Sequence, residues 1–90
     1  SRLDDDRKKI DEIDKKITEL FEERFNVVKD VIDYKIENHL PILNSGREQE
    51  ITEKNTKRIQ DEDIREYFKV WYEELLLLSK EYQKQIRDEK

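Results

Sequence analysis

The stretch LDDDRKKIDEIDKKITELFEERFNVVKDVIDYK, residues 3–35, decides the fold. Along it, apolar residues recur at Leu3, Ile10, Ile13, Ile17, Leu20, Phe21, Val28, Val31 and Ile32. They recur at the spacing of one helix face. No glycine or proline interrupts them, because the single proline is Pro41 and the single glycine is Gly46. The spacing predicts one helix of roughly 35 residues, about 50 Å long at ~1.5 Å per residue. A compact chain of this size has a radius of gyration of only ~12 Å. Such a helix protrudes from a monomer or is covered by a second chain, and the second arrangement is the more economical.

Three cations sit where that helix should be apolar: Arg7, Arg24 and Lys35. A buried cation is costly unless an anion or a hydrogen-bond partner meets it. Apolar residues alternating with Arg and Lys therefore suggest a pocket for a small anion. Arg24 and Lys35 are 11 residues apart, so they point within ~20° of each other and lie ~16 Å apart along the axis. Two long side chains leaning inward can grip one small molecule. Arg7 lies 17 residues before Arg24, about 25 Å away on a straight helix. It cannot join the same site within one chain, and can serve only a partner's. The blander alternatives are a surface role for Arg7, an ion pair of Arg24 with Glu23 or Asp14, and a Lys35 that snorkels to water.

Beyond the long helix, Pro41-Ile42-Leu43-Asn44-Ser45-Gly46 is the clearest break. Ser45 reads as an N-cap, with Glu48 three residues on completing a capping box. The second helix is short and polar and ends near Ile59 or Gln60. Asp61 or Asp63 then caps a third helix, whose apolar stripe at helical spacing is Ile64, Tyr67, Phe68, Trp71, Leu75, Leu78, Tyr82 and Ile86. Ser79 and Gln83 are one turn apart beside that stripe and offer neutral hydrogen-bonding groups. Arg47 and Glu48 add a donor fork and an acceptor at the opening of the second helix. His39 reads as an ordinary helix-end residue and Trp71 as core or interface. No segment alternates like a strand, so the fold class is all-α, with one long, one short and one medium-long helix.

Composition narrows the function. The 90 residues make one small domain, 33% hydrophobic and 48% charged, which buries too little surface to be comfortable alone. There is no cysteine to staple it or act as a nucleophile, and one histidine excludes most zinc constellations. Oligomerisation is then the expected source of core. A net charge of −5 argues against a general nucleic-acid binder but not against a local basic pocket. The longest apolar run, Leu75 to Leu78, is far too short for a membrane span, and a cytoplasmic protein is the default expectation.

The ordered set Arg7-x-x-Ile10-x-x-Ile13-Asp14, Leu20-Phe21-x-x-Arg24, Lys35, Pro41-Ile42, Arg47-Glu48-Gln49-Glu50 and Ser79-x-x-x-Gln83 resembles the all-helical chorismate mutases across nearly the whole chain. The resemblance implies a single mutase domain over residues 1–90 and an intertwined homodimer of three-helix chains. It implies two identical sites, each completed by the partner's Arg7. The implied reaction is the Claisen rearrangement of chorismate to prephenate, which requires no nucleophile, metal or cofactor. By the same resemblance, Lys35 contacts a carboxylate and the ether oxygen where negative charge develops, and Gln83 donates to the same ether oxygen. Arg24 and the partner's Arg7 hold the two carboxylates. Glu48 holds the ring hydroxyl, Ser79 approaches a carboxylate, and Arg47 supports the anionic pocket. Asn44 stands where many relatives carry an aspartate near the hydroxyl, which shifts that contact towards Glu48. Two rivals remain: an isochorismate pyruvate lyase on the same scaffold, and a non-catalytic helical dimerisation module. The second explains the stripe but not the cations within it.

Overall fold

The computed structural model describes residues 1–90 as α1 (Arg2–Glu37), α2 (Ser45–Arg58), a 3-10 turn (Glu62–Ile64) and α3 (Arg65–Glu89). α1 starts where Ser1 caps it, the Ser1 hydroxyl accepting from the Asp4 N–H, with Asp4 and Asp5 in the positive first turn. Its 36 residues and the molecular extents of 55 × 26 × 14 Å match the rod expected from residues 3–35. None of the helices is long and apolar enough to cross a membrane.

α1 ends in a Schellman motif. The Leu40 N–H donates to the Lys35 carbonyl at 2.8 Å and the His39 N–H to the Ile36 carbonyl at 3.3 Å. His39 therefore occupies the left-handed position, φ 56°, that favours glycine. This reversal carries the chain back so that Ile42 lies beside the last turn of α1.

The start of α2 corrects one expectation. Asn44, not Ser45, is the N-cap: its backbone is extended (φ −127°, ψ 90°) and its side-chain oxygen accepts from the Arg47 N–H at 3.0 Å. Counting from Asn44, the third helical residue is Arg47 rather than Glu48, so no capping box forms and the Glu48 carboxylate is released for other partners. α2 ends at Arg58, with Ile59 as C-cap. Asp61 caps the 3-10 turn, its carboxylate accepting from the Asp63 N–H at 2.9 Å, and α3 follows directly.

The core is small. Tyr72, Leu75 and Leu76 of α3 form it, with Phe25 of α1, Ile51 of α2 and Phe68 packed against them. Phe25 also stacks on Phe21 with ring centroids 4.4 Å apart, and meets Tyr82 at 5.4 Å. Asn55 donates to the Tyr72 hydroxyl at 3.0 Å, tying α2 to α3. Only 8 of 90 residues are buried. Of the α1 stripe, Val28 and Ile32 are buried, while Leu3, Ile10, Ile13, Ile17, Leu20, Phe21 and Val31 remain 40–61% exposed. On α3 the buried face runs through Tyr72, Leu75, Leu76, Ser79 and Gln83. That face is rotated from the expected stripe, leaving Tyr67, Trp71 and Leu78 outside. Trp71 is not core within one chain; it borders an apolar hollow of about 150 Å³ with Ile17, Leu20, Phe21, Arg24 and Leu75.

His39→Gly should stabilise the chain by about 1 kcal/mol, because a non-glycine residue in the left-handed region costs more than glycine loses in chain entropy. A urea unfolding midpoint that stays put or falls would contradict this account of the α1 terminus.

Candidate active site

A pocket of about 210 Å³ opens where the C-terminal half of α1, the linker, the start of α2 and the middle of α3 meet. Its polar lining is Arg24, Lys35, Asn44, Arg47, Glu48, Ser79, Lys80 and Gln83, and its apolar wall is Val28, Val31, Ile42, Ile51 and Leu76. Seven of the residues singled out from the sequence thus converge on one cavity. Arg7 does not: it is exposed near the far end of α1, outside this lining.

Helical geometry explains the convergence. Arg24, Val28, Val31 and Lys35 recur at i, i+4, i+7 and i+11 on α1, one continuous face. Leu76, Ser79, Lys80 and Gln83 do the same on α3 at i, i+3, i+4 and i+7. The two faces oppose each other, and their long side chains meet. The Arg24 Nη1 donates to the Ser79 hydroxyl at 2.7 Å. The Lys35 Nζ donates to the Ile42 carbonyl at 2.8 Å and to the Gln83 side-chain oxygen at 3.2 Å. Ser79 and Gln83 are only 5% and 7% exposed, so they face the cavity and not solvent. Arg24 pairs with neither Glu23 nor Asp14, and neither Arg24 nor Lys35 enters any ion pair.

That pattern has an electrostatic consequence. Both cations are held by neutral acceptors, which fix position without cancelling charge. Burial pushes the Lys35 ammonium below the usual lysine value of 10.5, against a smaller upward pull from the Glu48 carboxylate. The ammonium keeps one of its three donors unspent, and the Arg24 guanidinium keeps most of its fork. With the Gln83 oxygen turned to Lys35, its NH₂ is the end left to give; it makes one long bond, 3.4 Å, to the Ser79 carbonyl.

The remaining polar residues are placed less centrally. Asn44 lines the cavity, but its side-chain oxygen is engaged in the α2 cap, so its NH₂ is what it chiefly offers. Arg47 is exposed and pairs with Glu50 at 3.3 Å. Glu48 is partly buried and pairs with Lys80 at 2.9 Å.

Lys80 was not apparent from residue types alone, since lysines abound in this chain. Its signal is the Leu76-Ser79-Lys80-Gln83 spacing, legible once the inward face of α3 is known. The Ile42 carbonyl had no signal at all, because a backbone acceptor leaves no mark on residue type.

Comparison with known proteins bears on this geometry. Residues 6–84 match the family model described as chorismate mutase type II. The chain is 35% identical over 86 residues to the chorismate mutase of Methanocaldococcus jannaschii, covering 90% of this chain and 87% of that protein. No solved structure matches the chain at a significant level. The span of the family match takes in every residue of the pocket lining, Arg24 to Gln83, and most of the three helices; the chain belongs to the chorismate mutase type II family.

Proposed function

We propose that this pocket binds the dianion chorismate and catalyses its rearrangement to prephenate. The observation that carries the reading is the pair of cations, Arg24 and Lys35, fixed on one cavity wall by neutral partners and left with uncancelled charge. A helical dimerisation surface has no use for such a pair, whereas a doubly charged substrate does.

The reaction is intramolecular. The ether C–O bond of the enolpyruvyl arm breaks while a C–C bond forms to the ring, with no atom gained or lost. The enzyme's task is to hold the folded arm over the ring and to stabilise the oxygen as negative charge grows on it. Arg24 takes one carboxylate, with Ser79 holding the guanidinium in place. The Lys35 ammonium, which donates to the Gln83 amide oxygen at 3.2 Å, and the NH₂ at the other end of that amide converge on the ether oxygen. Glu48, whose second oxygen is free of Lys80, accepts from the ring hydroxyl, and the Asn44 NH₂ lies on the same side. Arg47 adds positive potential at the rim.

The second carboxylate needs a further cation, which we assign to Arg7 of a second copy in a homodimer. Two features support this. The α1 stripe lies uncovered from Leu3 to Phe21, far more apolar surface than single scattered residues present. In addition, Arg24 borders both the pocket and the apolar hollow beside Trp71, so a chain seated on that face arrives next to the site.

Three outcomes are expected. Purified protein should convert chorismate to prephenate, and Lys35→Ala should lower kcat by about 100-fold or more with the fold intact by circular dichroism. Near-normal kcat in that variant, or pyruvate release from isochorismate as the dominant activity, would reject the assignment.

The alkaline limb of kcat/KM should fall at a pH below the ordinary lysine value of 10.5, because the depressed Lys35 loses its proton early in the free enzyme. Bound substrate adds negative charge beside the ammonium and favours the charged form, so the limb of kcat should lie at higher pH than that of kcat/KM. Coincident limbs, or loss of the limb's dependence on residue 35, would contradict the role.

Arg7→Ala and Lys35→Ala should each be nearly inactive alone. Refolded together at equal amounts, they should recover about a quarter of the wild-type rate: half the dimers are mixed, and one of their two sites carries neither change. No recovery, with mixed dimers demonstrated by mass spectrometry, would place Arg7 outside the site.

A further inference from the structure

Glu48 is the only carboxylate lining a pocket that otherwise carries Arg24, Lys35, Arg47 and Lys80. A carboxylate in that setting is a built-in competitor. Swung towards α1, it would neutralise Lys35 and repel an incoming dianion. It does not do so: its oxygen is bound by Lys80 at 2.9 Å, and both side chains are three-quarters buried. Lys35 is left to the neutral Ile42 carbonyl and the Gln83 amide. Glu48 and Lys80 also line an open groove on the outer side of α2 and α3, so the ion pair stands as the partition between the cavity and that groove.

We infer that Lys80 is a positioning residue for the mutase reaction: by binding Glu48 it draws the pocket's one carboxylate off Lys35, leaving that ammonium to the substrate while one Glu48 oxygen still faces the ring hydroxyl. The inference rests on the mutase reading for its catalytic consequence, but the division of charge it describes belongs to the free protein. Lys80 needs no contact with substrate. Its position one residue after Ser79, at the margin of the buried face of α3, supplies the reach. An arginine there retains the ion pair, and a methionine of similar length removes it.

The test is a double-mutant cycle on the full chain with Lys80→Met, Glu48→Gln and their combination, plus Lys80→Arg. With Glu48 present, Lys80→Met should lower kcat/KM about 10-fold, while in the Glu48→Gln background the same change should cost less than about 2-fold. Lys80→Arg should stay within about 3-fold of wild type. If methionine disturbs packing, as judged by thermal unfolding, Lys80→Gln takes its place.

A second readout requires no substrate. The Lys35 side chain, titrated by NMR with labelled lysine, faces Arg24 from its own helix, Arg47 and Glu48 from α2, and Lys80 from α3. Lys80→Met should raise its titration midpoint, because Glu48 is freed to approach it and a like charge is lost. The rise should be clearly smaller in the Glu48→Gln background, where only the like charge is lost. Equal effects in both backgrounds, in rate or in titration, would overturn the inference. Failure of the wild-type protein to turn over chorismate would instead reject the mutase reading, with the titration cycle still deciding where Glu48 places its charge.

Discussion

The Lys35 ammonium joins three parts of the chain at one point. It leaves the last turns of α1, reaches the Ile42 carbonyl in the linker, and meets Gln83 on α3. Each contact constrains its neighbour. The linker can bring Ile42 to Lys35 only because α1 stops abruptly at His39, and Gln83 can meet it only because α3 packs with Ser79 and Gln83 inward. A neutral residue at position 35 would leave a carbonyl and an amide facing a cavity without a donor. A cation with a carboxylate partner would fill the site with its own counterion. The neutral acceptors avoid both, holding the charge in place without cancelling it.

The same economy shows in the scaffold. Eight buried residues are few for a stable domain, and the apolar residues that would enlarge the core are present but turned outward along α1 and the outer face of α3. In the proposed dimer this surplus becomes the interface, and stability and catalysis depend on the same surface. Under the same proposal, the substrate's second carboxylate is met from across that interface. A chain unable to pair would lose core and cation together. This explains why a helix of 36 residues, extravagant for one small domain, is retained: one part of it packs within the chain and the rest is free to serve another.

Electrostatic placement also explains why so charged a chain can present a selective site. The net charge is −5, yet the pocket lining carries Arg24, Lys35, Arg47 and Lys80 against Glu48. Overall negative charge discourages polyanions at long range, while a local cluster inside low-dielectric walls attracts one small dianion. Distributing cations over α1, α2 and α3 means that no single helix face is strongly basic, so the cluster exists only when the helices are packed.

Periodicity alone determined the helical class, the length of α1 and the break at Pro41 to Gly46, because local spacing and the lack of helix breakers act within a few residues. It also exposed Arg24 and Lys35, since a cation in an apolar stripe is an anomaly visible in one dimension. Other features had to wait for tertiary structure. Ser45 and Asn44 are both good capping residues, and the path of the linker chose Asn44, which displaced Arg47 and Glu48 by one register position. The apolar residues of α3 outnumber what one chain can cover, so residue type could not tell its inward face from its outward one. Ser79, Lys80 and Gln83 became a site only once that face turned to α1. Sequence order specifies which faces a helix possesses; which face meets which depends on contacts between residues far apart in the chain, and only packing decides them.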